Sequence, residues 1–326
     1  MKIKCLNDGF VQLIDSMGSD QSICNAARVS YGNHETYSEK LRNKAAKIIG
    51  VEVNKIILVD TERNKPDIHV EVDPGNYHTI PQEEWIAEEL ENTSKDVGLI
   101  RYLMRHRHTT PFEMVSFVFL VRCPMHVARQ WMRHRTWSYN EYSTRYKEAI
   151  DSFETTGPDA WRLQATDNKQ GSDGVIENTL GRSLSSNESE LQHRITNEYR
   201  YRIESGVSRE QARKDLPLST YTEFYAKVDL HNLFHFLSLR MDSHAQLEIR
   251  TYANAISEII KPIIPASYQA FEDYRLNSSS FSAQEMEIIK RSISFYKDQL
   301  EGTDKELSKP STCSDREWKE FLEKVK

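Results

Sequence analysis

The chain has 326 residues, 38% of them hydrophobic, enough for a full core, which excludes a disulfide-stapled miniprotein or a disordered tail. With 28% charged residues and a formal net charge of -6, it does not read as a general nucleic-acid coat or a membrane-surface protein, so any anion-binding surface must be local. The longest apolar run, Met114 to Val121, is too short to span a bilayer, and the opening MKIKCLNDGF lacks a signal-peptide core, so the expected location is the cytoplasm.

In chain order, residues 55 to 60 (KIILVD) and 67 to 73 (DIHVEVD) predict two strands joined by the polar turn TERNKP, a hairpin inside an insert at about 32 to 96. Residues 114 to 123 (MVSFVFLVRC) are β-branched and aromatic on both faces and predict a buried strand. Pro124 ends it and opens a helix over about 125 to 135, with Val127 and Trp131 on one face and Gln130, Arg133 and His134 on another. The stretch from about 154 to 190 is rich in Gly, Ser, Asn and Asp and reads as a long exposed loop or partial disorder.

A second helix is expected after Ser208, with Ser208 and Gln211 as a capping box and Leu216-Pro217 as its end. From about Tyr225 to Arg240, the spacing of Leu230, Leu233, Phe234, Leu237 and Met241 predicts a core-facing helix whose polar faces carry Asp229, His231, His235 and Arg240. A further helix is expected from about His244 to Ile260, and a charged helical tail from about 277 to 326, divided by Pro310. Cys5, Cys24, Cys123 and Cys313 are scattered without a CxxC pair, which fits reduced thiols and disfavours a zinc knuckle. The predicted fold class is α/β in the α+β sense: a mostly antiparallel sheet with packed helices, a domain over 1–275 and a charged helical extension over 276–326.

The charge is unevenly placed. Between Arg101 and Tyr146 there are eight arginines and no lysines, against only two acids, Glu113 and Glu141. The planar guanidinium suits paired hydrogen bonding to phosphate or carboxylate; surface salt bridging is the plainer alternative. No GxG, GKS or GKT occurs among the twelve glycines, so neither a Rossmann fingerprint nor a P-loop is present and side chains must hold any nucleotide. The densest motif, Arg133-His134-Arg135-Thr136-Trp137-Ser138-Tyr139-Asn140-Glu141-Tyr142-Ser143-Thr144-Arg145-Tyr146, offers an inventory suited to phosphate, sugar and base.

That motif, RHR followed by SxNxxSxRY, resembles the signature of the flavin-dependent thymidylate synthases. Other segments resemble the same family in the expected order: Ala26-Ala27-Arg28-Val29-Ser30-Tyr31, His108-Thr109-Thr110-Pro111-Phe112-Glu113, Ala128-Arg129-Gln130-Trp131, Ala212-Arg213 with Leu216-Pro217, and Leu239-Arg240 with Asp242-Ser243-His244-Ala245-Gln246. The similarity covers about half the chain.

The resemblance implies an enzyme that makes dTMP from dUMP, taking the methylene of 5,10-methylenetetrahydrofolate and reducing it with electrons passed from NADPH through FAD, without a cysteine nucleophile. It implies a homotetramer with shared active sites. Carried over by position, Arg240 is the activating group, placed to stabilise negative charge on the pyrimidine. The implied dUMP contacts are Gln130, Trp131, Met132, Arg133, Glu141, Tyr142, Ser143, Thr144, Arg145, Arg213 and Arg240. The implied FAD contacts are His108, Thr110, Glu113, Arg133, His134, Arg135, Asn140, Glu141, Asp229, His231 and His235. The last three depart from the family's usual Asn-x-Arg followed by Asn.

Two other functions use the same residues. His231 and His235, four apart with Asp242 further on, could ligate a metal in a nucleotide hydrolase, although no HExxH glutamate is present and no metal is expected. Trp131, Trp137, Tyr139, Tyr142 and Tyr146 interleave with arginines as stacking platforms for single-stranded nucleic acid do, against the net acidity of the chain. Ser143 could be a nucleophile, but with no adjacent base or oxyanion signature it suits a phosphate-binding hydroxyl; Cys123, beside His126, is the other candidate, but its apolar strand suits a packed side chain.

Overall fold

A computed structural model describes residues 1–29, 56–59, 67–73, 76–79, 95–166, 171–300, 309–311 and 313–325. The chain divides into two compact units, Met1–Leu276 and Asn277–Lys326.

In the first unit, β1 (Lys2–Cys5) and β2 (Gly9–Met17) lead into α1 (Asp20–Val29). A separate three-stranded sheet holds β3 (Ile56–Val59), β4 (Asp67–Asp73) and β5 (Asn76–Thr79), all antiparallel. The expected pair of strands is therefore present with a third added; the connecting turn lies outside the described residues. After a helix over 95–105, α2, come β6 (Ser116–Pro124), α3 (Met125–Trp131) and β7 (Ser138–Glu141). The second half supplies β8 (Arg162–Gln164), β9 (Ser172–Val175), α4 (Asn178–Glu204), α5 (Arg209–Ala212), β10 (Tyr221–Asp229), α6 (Leu230–Arg240), α7 (Leu247–Ile260) and α8 (Pro265–Phe271).

The main sheet runs β1-β2-β6-β10-β7, and every pair in it is antiparallel. Alternation sets its buried face: Phe117, Phe119, Val121 and Cys123 of β6 and Phe224, Ala226 and Val228 of β10 are all buried. Helix α7 packs on β1 and β2 and against α6. Trp131 sits at the centre of the core, stacked on Phe236 and edge-on to Phe224, Trp137 and Tyr252. Each such side chain contributes roughly 1.5–3 kcal/mol through burial.

Several expectations need correction. Tyr225 to Asp229 belong to β10, not to a helix, and the helix starts at Leu230. The alternation of Phe224, Ala226 and Val228 was the available signal, but the helical spacing downstream extends backward over it. The stretch at 154 to 190 is not a long loop: the described residues form β8, β9 and the start of the 27-residue α4. Polar side chains order it, because Gln192 Nε2 donates to the Glu154 carbonyl, Ser185 Oγ to the Thr156 carbonyl and Trp161 Nε1 to Ser185 Oγ. The expected capping box at Ser208 is not made: α5 is a single turn and no side-chain cap bond forms there. Helix α3 ends at Trp131, short of the expected 135, and α7 begins at Leu247 rather than His244.

The second unit contains α9 (Ala283–Leu300) and α10 (Asp315–Lys324), the latter opened by a capping box of Ser314 and Glu317. No helix among the described residues is long and apolar enough to cross a membrane.

Candidate active site

The chain order β6, α3, β7 places the signature motif along one end of the sheet. Helix α3 leaves β6 at Pro124, whose extended backbone suits the turn from strand to helix. The chain then turns through Arg133–Thr136 and returns as β7 beside β10, pinned by Tyr139 Oη donating to the carbonyls of Trp131 and His134, each at 3.1 Å. Register puts Glu141 opposite Phe224, next to Thr222, and Thr222 Oγ1 donates to Glu141 Oε1 at 2.7 Å.

Three further contacts join the motif to distant segments. Arg240 Nε donates to His134 Nε2 at 3.1 Å, linking the end of α6 to the turn that follows α3. Gln130 Nε2 donates to Gln246 Oε1 at 2.5 Å, while Gln130 Oε1 is buried without a partner. Arg213 Nη1 donates to Thr144 Oγ1 at 2.8 Å, and Arg145 lies 4.0 Å from Glu210, so the loop after β7 meets the turn that follows α5. The sequence-predicted Gln130, His134, Glu141, Thr144, Arg145, Arg213 and Arg240 are thus all engaged from segments far apart in the chain.

His134 is 8% exposed. Burial, then the Arg240 charge, then His235 pull its pKa down to about 4, so the ring is neutral at neutral pH and its Nε2 lone pair accepts the Arg240 hydrogen. Burial also lowers the Arg240 pKa, and the guanidinium stays charged. The His134 ring lies 6.1 Å from that of His235, which connects this cluster to a neighbouring cavity.

That cavity, of about 160 Å³, lies where α2, the turn before β6 and α6 converge, and His108, His231, His235, Phe234, Arg107 and Arg275 line it. Three of the expected flavin contacts are therefore brought together. Thr110 and Glu113 sit exposed on the short helical turn Thr110–Met114 next to it. Arg133, Arg135 and Asn140 are exposed, Ser143 and Tyr142 are half-buried, and the Tyr142 hydroxyl donates to the Glu148 carbonyl at 2.7 Å.

Two expected contacts are used otherwise. The Trp131 side chain is fully buried in the aromatic core, and Met132 packs partly buried against it, so Trp131 presents no side-chain surface to a ligand. Asp229 caps α6: Oδ1 accepts from the Asn232 backbone N–H at 2.9 Å and Oδ2 from Asn232 Nδ2 at 2.6 Å. Sequence reasoning missed Thr222, Arg107 and Arg275. Thr222 faces Glu141 only through strand pairing, whereas Arg107 was visible inside the RHRH run.

The rival readings lose their geometry. Trp131 and Trp137 are buried and Tyr139 is bonded inward, which leaves Tyr146, and in part Tyr142, as the exposed rings of the five that were read as stacking platforms. Among the described residues no group of three or more His, Cys, Asp or Glu side chains is placed to hold a metal ion. Cys123 is fully buried, and desolvation raises its thiol pKa well above the usual value, the opposite of an activated nucleophile.

Comparison with known proteins places the chain among relatives of known description. Residues 12–266 match the family model described as thymidylate synthase complementing protein. The chain is 39% identical over 290 residues to the flavin-dependent thymidylate synthase of Wolbachia pipientis wMel, covering 89% of this chain and 83% of that one. It is 43% identical over 233 residues to the enzyme of the same description from Dictyostelium discoideum, covering 72% of each. Among solved structures it is similar to the UMP/dUMP methylase PolB from Streptomyces cacaoi bound with 5-Br dUMP, with a TM-score of 0.60, 30% identity, and coverage of 84% of this chain and 99% of that one.

Proposed function

The chain belongs to the flavin-dependent thymidylate synthase family, and from that premise we propose that it methylates dUMP to dTMP, with 5,10-methylenetetrahydrofolate as one-carbon donor, FAD as the flavin and NADPH as reductant. Enzymes so named are flavin-dependent methyltransferases of a pyrimidine nucleotide, and the similarity to a UMP/dUMP methylase supports the choice of substrate.

The observation that carries the reading is the contact of Arg240 with a neutral, buried His134. Making uracil C5 nucleophilic requires stabilising negative charge on the base, which a guanidinium aimed at its N3/O4 edge does at about 3 to 4 kcal/mol per well-placed donor. His134 occupies only the Nε hydrogen of Arg240, which fixes the guanidinium plane and leaves its Nη donors for the substrate. Arg145 and Ser143 receive the dUMP phosphate, and Arg213, braced by Thr144, is a second cation for it. Gln130, Met132, Arg133, Glu141 and Tyr142 complete the nucleotide's surroundings. No enzyme thiol takes part.

The residues present fit a flavin dinucleotide. His108, His231 and His235 bring hydrogen-bonding imidazoles to a cavity with an apolar floor at Phe234, and no carboxylate lines it among the described residues. Thr110, Glu113, Arg133, His134, Arg135, Asn140 and Glu141 would hold the rest. When bound, the flavin supplies the reducing equivalents that convert the transferred methylene to methyl. At about 160 Å³ the cavity of one chain is smaller than the roughly 300–1,000 Å³ of ordinary ligand pockets, as for a site completed by another subunit, and the homotetramer itself rests on the family resemblance. We assign catalysis to residues 1–275, with 276–326 as an extension, and place the enzyme in the cytoplasm.

The test is tritium release from C5-labelled dUMP. Release that requires FAD, NADPH and methylenetetrahydrofolate together supports the reaction, and release independent of flavin refutes it.

A further inference from the structure

Arg107 and Arg275 reach the same cavity by two irregularities of the backbone. Arg107 lies at φ 60°, in the left-handed region, at the end of α2. Around it the His108 N–H donates to the Leu103 carbonyl at 2.9 Å and the Arg107 N–H to the Met104 carbonyl at 3.3 Å. This bond pair defines a Schellman helix end, and Arg107 holds the position that glycine fills at less conformational cost. An arginine kept where glycine is easier points to use of its side chain.

Arg275 lies on a π-helical turn, Glu272–Leu276, another feature found often at functional sites. Helix α2 holds that turn in place: Arg101 pairs with Asp273 at 2.7 Å and donates to Tyr274 Oη at 2.9 Å, and Arg105 donates to the same hydroxyl at 3.3 Å. Both guanidiniums therefore line a cavity whose other polar groups include His108, His231 and His235, with no carboxylate in its lining among the described residues. Burial, and after it repulsion from Arg107, lowers the Arg275 pKa, as expected of two like charges facing one space.

We propose that Arg107 and Arg275 form a two-armed clamp for a phosphate group of a nucleotide cofactor, an inference that rests on the flavin-dependent reading above. Two guanidiniums across a cavity match the tetrahedral oxygens of a phosphoryl group. The group comes either from the pyrophosphate of FAD or from the 2′-phosphate of NADPH.

Arg107→Gly and Arg275→Gln separate these sources. Glycine fits the positive φ, so the first variant should keep or raise the melting temperature of the full-length protein. If FAD supplies the phosphate, both variants purify with less flavin, and the dissociation constant for FAD rises about tenfold or more while that for riboflavin, which has no phosphate, and the KM for NADPH hold. If NADPH supplies it, the KM for NADPH rises by a similar factor while that for NADH and the flavin content hold. Unchanged values for all four probes in both variants overturn the clamp, as does equal weakening of every ligand with a fallen melting temperature. A wild-type protein that takes up no flavin refutes the functional reading instead, whatever the variants do.

Discussion

Arg240 and His134 meet nitrogen to nitrogen, guanidinium Nε to imidazole Nε2, at 3.1 Å across segments far apart in the chain. The bond requires the imidazole to be neutral, with its proton on Nδ1, and burial beside Arg240 and His235 keeps it so.

This arrangement makes stability depend on acid. His134 titrates near 6.5 when unfolded and about 4 when folded, so between those values the unfolded chain binds the extra proton and stability falls as pH drops from about 6.5 to about 4. Below that window the loss is complete, at up to about 3 kcal/mol. Urea unfolding at pH 7, 5.5 and 4.5 should show a steeper loss for wild type than for His134→Asn; parallel profiles would remove the histidine from the account.

Arg240→Ala should lower dTMP formation at least about 100-fold, as for loss of one charge-stabilising donor, while the flavin absorption of the purified protein persists. Retained turnover would assign activation of the base to another group.

Arg145 is exposed and, among the described residues, pairs with Glu210 only at 4.0 Å, so little of its charge is spent there. Arg145→Ala should raise the dUMP dissociation constant about tenfold with little change in melting temperature. Unaltered affinity in a calorimetric titration would place the phosphate elsewhere.

Trp131→Ala should cost about 3–5 kcal/mol of stability, because the indole is wholly buried among Phe224, Phe236, Trp137 and Tyr252. A variant that unfolds like wild type yet binds dUMP poorly would mean that the ring meets the ligand.

Cys123→Ala should keep turnover within about threefold, since its desolvated thiol is a packed side chain of β6. Loss of all activity from a correctly folded Cys123→Ala protein would restore a covalent route.

The buried strand around Val118, the helix after Pro124 and the arginine-rich motif were legible because apolar runs, proline and spacing act locally. The antiparallel class followed from the same signals and the family resemblance. Strand β10 was not, because Phe224, Ala226 and Val228 run directly into the helical spacing of Leu230, Leu233 and Phe234, and local patterns do not mark where one period yields to the other. Helix α4 escaped because its buried face is built from Gln192, Thr196 and Tyr199, whose polar groups bond to neighbouring backbone rather than forming an apolar stripe. At the site, residue types were readable but partners were not: nothing local says that Arg213 will brace on Thr144, or that Arg240 will meet His134.

Pairing of β6 with β10 joins segments about a hundred residues apart, and only after it forms can α6 carry Arg240 to His134. Contacts of such long range form slowly, since the intervening chain must first surrender its freedom. A nascent polypeptide that has emerged only through the signature motif thus bears an unzipped strand edge and a His134 without its Arg240. That edge stays open until Tyr221–Asp229 has followed it out of the ribosome.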